Sequence, residues 1–449
     1  MSFPTHLRSL LPQGGALVLL LVLTCVPAQA QSNGDGTIYS RFGIGTLADF
    51  SSSQSEALGG GGYALRSLNY APTANPALLS DQVFTRLSAG GSFERVRATS
   101  SGDQSPSLLT SGTIEAIQFS FPIYKRTLGV GFTFQPYSQQ NYRTQRRDEL
   151  PVGSGTETSS IGYQRTFRGQ GGLHRFRGGV GYRINETWSV GASADVIFGI
   201  LQNKRTTEFE DPSFQNVTLS DDTRLVGLTG TFGSHLSFAN VLKEDDALSL
   251  GASVALPSTL SGTRVLTTGE GRNLTPDTLE SVDGETSVPL RSRFGLAYQP
   301  NPRWTFTADG LYEPWSNFSS DFARQSAFNR RFPDGGEETL TDRWRASLGA
   351  EVVPAGEDAR ADFLASLAYR LGVYAEQLYV RPDARTTLHT YAVTGGLSFP
   401  SSLSGTRIDL NLKAGTRGTT DDAFVRDTFY GVSLHVNFGE RWFQKRKLR

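Results

Sequence analysis

The side chains able to do chemistry are few and scattered. Of 449 residues, five are His and one is Cys. His174, His235, His389 and His435 follow the N-terminal apolar segment, and none has a second His at metal-ligand spacing. No Gly-x-Ser-x-Gly elbow, P-loop or His-Glu-x-x-His is present. Ser234 and His235 are adjacent, but strand alternation sends them to opposite faces. No enzyme, cofactor or metal site is therefore read from the sequence. A single Cys rules out a disulfide framework. Forty-three Lys and Arg balance forty-three Asp and Glu, which gives no electrostatic case for nucleic acid. What stands out is a set of charges at alternate positions: Arg177, Arg183, Asp195, Arg291, Arg293, Asp309, Glu313, Arg345, Glu351, Arg370, Asp409 and Lys413. An inward-facing Arg can hold a carboxylate head group; more often such charges form salt-bridge ladders, which in a barrel lumen would stiffen the wall and lock a plug in place.

The elements that position these charges read as strands. Leu128, Val130, Phe132 and Phe134 alternate with Gly129, Gly131, Thr133 and Gln135. Tyr430, Val432, Leu434, Val436 and Phe438 alternate with Gly431, Ser433, His435 and Asn437. Several such runs keep phase for about 9–11 residues, the span of a tilted membrane strand. The apolar face is nearly free of charge, while the other face carries both signs. A polar lumen tolerates that pattern and a sandwich core does not. The expected fold is all-β, a transmembrane antiparallel barrel of about fourteen strands.

Short connections at 124–126, 185–186, 240–245, 300–302, 354–360 and 400–404 alternate with long polar ones. The long ones are expected at 97–111, 143–172, 208–218, 268–285, 318–337, 377–384 and 418–424. This pattern places both termini in the periplasm of an outer membrane. Residues 1–30 read as a signal peptide, with Arg8, the run Ala16–Leu23 and a cleavage site at Ala28-Gln29-Ala30. Residues 83–438 form the barrel, and 439–449 a basic periplasmic tail. A strand ending at Phe438 suits recognition by the barrel assembly machinery during biogenesis. Thr156–Arg168 and Arg175–Ile184 read as one descending strand, interrupted at Gly169, Gln170, Gly171 and Gly172. Glycines there mark a kink or bulge. Either they form a plain loop or they open the wall for sideways exit of a ligand.

Residues 31–82 are too few for an independent core, yet they hold Phe42, Phe50, Leu58, Tyr63 and Leu78 as anchors. They suit a hatch inside the lumen. Pro76 removes a backbone donor and keeps Asn75 extended; Asn75 can cap or bridge backbone groups, and Ala77 starts a short helix. Tyr39-Ser40-Arg41-Phe42-Gly43, Gly59-Gly60-Gly61-Gly62 and Asn75-Pro76-Ala77 resemble the plug of the FadL/TodX family. The first motif and Glu440-Arg441-Trp442-Phe443 are similar to versions from Bacteroidetes-like bacteria. The resemblance implies a fourteen-stranded outer-membrane barrel with an N-terminal hatch. It also implies diffusive uptake of long-chain fatty acids or other hydrophobic small molecules, leaving through a kinked strand. On that reading Asn75, Pro76, Ala77, Gly169, Gly171, Gly172 and Arg177 concern ligand or gating, and the partners are membrane lipid and an apolar ligand. Polar outer loops and a charged lumen depart from the fatty-acid transporters; the rival expectation is a structural or protein-secretion role, which a closed wall and an immobile plug would favour, and a third is a polar porin, favoured by the charged lumen but opposed by the plug.

Overall fold

The computed structural model describes residues 36–101, 106–152, 159–270, 277–324, 339–356, 358, 360–381, 386–401, 405–421 and 424–440. The expected signal peptide and residues 441–449 lie outside them.

Fourteen antiparallel strands form a closed barrel. They are β1 Thr85–Ser100, β2 Ser107–Tyr124, β3 Leu128–Gln139 with Tyr142–Val152, β4 Ser159–Arg183 and β5 Trp188–Phe209. Next come β6 Val217–Ala239, β7 Ala247–Ala255 with Ser258–Glu270, and β8 Asp277–Val288 with Arg291–Asn301. The wall finishes with β9 Trp304–Glu313, β10 Arg343–Val352, β11 Ala368–Gln377, β12 His389–Pro400, β13 Arg407–Arg417 and β14 Val425–Glu440. Each strand pairs with the next in sequence. Closure comes from β1 and β14, whose register runs from Thr85↔Glu440 to Ser100↔Val425. Gly439 and Glu440 thus belong to the last strand, not to a tail.

The period-two pattern explains the wall. Phe132 and Phe134 face outward while Thr133 and Gln135 are buried inside. Tyr430, Val432, Leu434 and Phe438 face outward while Ser433, His435 and Asn437 are buried. An apolar outer belt needs hydrocarbon around it, and a closed sheet leaves no backbone group unpaired within it. β7 and β8 are each broken beside a proline, at Leu256-Pro257 and Pro289-Leu290. Proline cannot donate to the ladder.

Two expected loops are strands. Tyr142–Val152 pairs with β4 where a loop at 143–172 was expected. Asp277–Val288 pairs with β7 inside the expected 268–285 loop. Both carry charge on both faces, because no lipid touches them, so alternation is lost. The expected single strand is found without its interruption: β4 runs unbroken for 25 residues from Ser159, while residues 156–158 lie outside the described ones. At ~3.3 Å per residue it is ~80 Å long, against ~33 Å for a strand of ten such as β9, β10 or β11. The wall is therefore lopsided, tall from β3 to β8 and low from β9 to β11.

Residues 36–84 fill the lumen as a plug. They form a 3-10 turn at Ile38–Arg41, a bridge strand Thr46–Leu47 paired to Ser138–Gln139, a helix at Ser53–Ala57 and a 3-10 turn at Pro76–Asp81. Tyr39, Phe42 and Ile44 join Leu173 and Leu201 of the tall wall and Trp315 and Tyr379 from the connections beside the low strands in the main apolar core.

Candidate functional site: the clamp between plug and wall

The plug cannot bury its ends in a core of its own, so side-chain caps and wall groups take over. Asn75 is fully buried. Its Oδ1 accepts from the Ala77 N–H at 3.1 Å, capping the turn that Pro76 starts. Its Nδ2 donates to the Tyr63 carbonyl at 3.0 Å and to the Ser234 carbonyl of β6 at 3.1 Å. One side chain thus ties two plug segments to the wall. Gly191 of β5 and Gly233 of β6 lie against Pro76 and Asn75, where a Cβ would collide with them. Those wall glycines let the two backbones approach.

Around this point the charged lumen clamps the plug. Arg177 donates to both carboxylate oxygens of Asp195, at 2.7 and 2.5 Å, and to the Thr73 carbonyl at 2.7 Å. Arg370 binds Glu351 at 2.6 Å, Asp409 at 3.1 Å and the Tyr70 hydroxyl at 2.8 Å. Ser53 donates to Asp409 at 2.6 Å. The Tyr63 N–H donates to Asp309 at 2.9 Å, and Arg345 reaches the Gly59 carbonyl at 2.7 Å. Asp81 receives Arg66 at 2.7 and 2.9 Å and also pairs with Arg183 of β4.

Asp49 meets Arg293 at 3.0 Å, both side chains being almost fully buried, and accepts from the Tyr63 hydroxyl at 3.0 Å. Burial opposes its ionisation. Arg293, Arg291, Arg343 and Arg345 overcome that and hold its carboxyl far below the usual range. Burial pushes the Tyr70 hydroxyl up to about 12 despite the nearby Arg370. Both groups keep one protonation state at neutral pH, so the contacts made by Asp49 and Tyr70 do not switch there. Arg177, expected as a ligand or gating residue, holds the plug backbone here.

The glycine stretch lies elsewhere, in the taller wall. Gly171 and Gly172 have φ of +93° and +146°, values that L side chains rarely adopt. The strand kinks but keeps both neighbours: Gly169 pairs with Asn203 and Tyr142, and Gly172 with Ile200 and Gln139. The Gln140 N–H also donates to the Gly171 carbonyl at 2.9 Å. Leu173, Ile197 and Leu201 pack behind it. The structure thus joins Asn75, Pro76, Ala77 and, through Thr73, Arg177 into one site, and leaves Gly169, Gly171 and Gly172 apart from it.

Between plug and wall lies a cavity of about 260 Å³ whose lining includes Glu56, Glu94, Glu115, Arg345, Lys413 and Arg417. Ligand sites for apolar molecules are mainly apolar; this one is strongly charged and suits water or ions. Asp49, Glu56 and Glu115 were not singled out from the sequence. Their partners lie far along the chain, and no local spacing marks them.

Solved structures share the fold. The chain resembles a Pseudomonas aeruginosa FadL homologue with a TM-score of 0.57 and 11% identity, over 88% of this chain and 99% of that one. It resembles the Ralstonia pickettii toluene transporter TbuX with a TM-score of 0.53 and 16% identity, over 87% and 99%. It also resembles the CymD monoaromatic hydrocarbon channel with a TM-score of 0.52 and 15% identity, over 90% and 100%. No curated protein matches the sequence. A family model named BamG matches residues 15–449, almost from end to end, and the chain belongs to the BamG family.

Proposed function

We propose that this chain is a closed outer-membrane barrel that serves as a protein-binding subunit of the barrel assembly machinery, with both termini in the periplasm. The observation that carries the reading is the locked plug: Arg177, Arg293 and Arg370 each bind a buried carboxylate, and each set of contacts reaches the plug. Releasing the plug would break the buried Asp49–Arg293 pair, where losing one partner costs about 3–5 kcal/mol, together with the Asp81–Arg183 pair and the hydrogen bonds of Arg177 and Arg370 to the plug. The Bam element of the family name supports the choice of partner. The tall polar sheet of β3–β8 offers a surface beyond the lipid belt. Cross-linking in intact outer membranes, followed by purification and mass spectrometry, tests this. Subunits of the assembly machinery should be captured in stoichiometric amounts. A barrel recovered alone, conducting ions in planar bilayers, would overturn the reading.

A second reading is uptake of a hydrophobic molecule, and the shared fold with hydrocarbon channels favours it. The ligand would pass sideways at Gly169–Gly172, where the kinked strand meets the apolar side chains Leu173, Ile197 and Leu201. Passage would require the Gly171 and Gly172 pairings to open. Native mass spectrometry of the detergent-extracted barrel with added toluene or fatty acid separates the readings. A retained apolar ligand supports uptake, and an empty barrel opposes it. The Bacteroidetes-like form of the Tyr39–Gly43 motif belongs to either reading.

A further inference from the structure

We propose that Glu56, Glu115 and His435 form a binding site for one divalent first-row transition cation that fastens the plug to the wall. Glu56 comes from the plug helix, Glu115 from β2 and His435 from β14, and their ligand atoms all lie within 4.8 Å of one another. His435 Nε2 is 3.1 Å from Glu56 Oε2 and 2.7 Å from Glu115 Oε2. One ring N–H cannot point at both carboxylates. Glu115 Oε2 is in fact buried with no hydrogen-bond partner despite its closeness. A cation where the three lone pairs converge serves all of them. Ligands ~2.1 Å from a metal, subtending 90–109°, stand ~3.0–3.4 Å apart, close to the spacing present.

The wall is shaped to bring these groups together. The register of β1 against β2 pairs Gly90 with Ala116 but Gly91 with Ile114, so Glu115 is the extra residue of a β-bulge. Bulges re-aim side chains, and this one turns Glu115 toward the lumen. On the other side Gly90 pairs with His435, and a Cβ on Gly90 would strike the imidazole. A glycine in the intervening strand therefore lets groups from its two neighbours meet across it. Phe50 stacks on the His435 ring at 5.3 Å and 13°. Ser433 and Asn411 donate to Glu56 Oε2 at 2.8 and 2.9 Å, the kind of outer support that orients metal ligands. Nearby Lys413 is engaged with Glu94 at 2.8 Å, so two carboxylates and a neutral imidazole leave a charge of −2 for a dication to balance. Glu56 and Glu115 also line the cavity, which can supply water to the remaining coordination positions. One imidazole with two carboxylates suits zinc, iron or manganese better than calcium or magnesium.

The untagged full-length barrel in detergent is stripped with EDTA, loaded with Zn²⁺, desalted and analysed for metal. Heat-modifiable gel mobility confirms that each sample is folded. Wild type should retain one zinc per chain, and the folded variants His435→Gln and Glu115→Gln less than a tenth. X-ray absorption of the loaded wild type should show a nitrogen and oxygen shell with imidazole scattering; this readout does not depend on any variant folding. No retained zinc, retention unchanged in both variants, or a shell without imidazole would each overturn the site.

Discussion

Replacing Asp49 by Asn should unlatch the plug while leaving the wall intact. Asp49 is the carboxylate that meets Arg293, at 3.0 Å with both side chains almost fully buried. Nε and Nη1 of Arg293 have no hydrogen-bond partner, and its remaining support is the Tyr63 ring at 5.6 Å. Removing one partner of a buried pair costs about 3–5 kcal/mol, because the other charge stays buried. The bond from the Tyr63 hydroxyl, at 3.0 Å, can survive on the new amide oxygen. The lower end, about 3 kcal/mol, is therefore expected, roughly a 150-fold rise in the population with the plug released. Hydrogen exchange on the intact barrel reads this directly. Amides of residues 44–58 should exchange about 100-fold faster in the variant, and those of β5 and β6 at the wild-type rate. Plug exchange within threefold of wild type, in a barrel that still runs as folded, would refute the view that this pair holds the plug.

Other outcomes follow from the same geometry. The folded Asp49 carboxyl is depressed far below its usual 3.8. Its stabilisation is complete above that value and is lost only as pH falls through the lower folded pKa. The part of plug protection due to Asp49, read as the ratio of exchange rates between Asp49→Asn and wild type, should therefore stay flat from pH 7.5 to 4.5; a change in that ratio within the window would refute the assignment. Arg177→Gln strands the fully buried Asp195 and should cost about 3–5 kcal/mol, measurable as a lower urea midpoint for the barrel. Asn75→Ala removes a cap worth about 1 kcal/mol and leaves the Tyr63 and Ser234 carbonyls short of a donor. A total near 3 kcal/mol is expected, seen first as tryptic cleavage within the plug. Gly171→Ala forces a left-handed φ on a Cβ that would also strike the Ile200 carbonyl. It should lose at least about 1–2 kcal/mol, detected as a lower heat-modification temperature, while Gly310→Ala, which meets open space, should not.

The wall was legible where lipid and lumen impose opposite demands. Phe132 and Phe134 outside with Thr133 and Gln135 inside are a local signal of period two, and the strand count followed from it. The signal failed at Tyr142–Val152 and Asp277–Val288, where both faces are wet. The plug was legible as a segment with anchors and no core, and Asn75-Pro76-Ala77 as its capped turn. The clamp was not. Arg177 and Asp195 are 18 residues apart and Asp49 and Arg293 are 244 apart; only the closed barrel makes them neighbours. Glu115 was hidden for a further reason: its inward aim depends on a bulge that alternation does not announce.

The lopsided height of the wall leaves the taller section without the closure that protects the rest. Among the described residues, Tyr142–Val152 pairs with β4 alone, and Asp277–Val288 pairs with β7 while Ser319–Asp321 cover its other edge at Glu285, Thr286 and Ser287. Above the low strands the described wall is thus an open six-stranded sheet whose second border is free from Asp277 to Gly284. A free border is a row of unmatched peptide groups ready to accept a foreign strand. Arg143, Arg146 and Arg147 stand with Asp148 and Glu149 on one border, whereas the other carries Asp277, Glu280, Asp283 and Glu285 with no base among them. The two seams therefore differ: the first is mixed in charge, and the second is acidic and favours a basic strand over an acidic one.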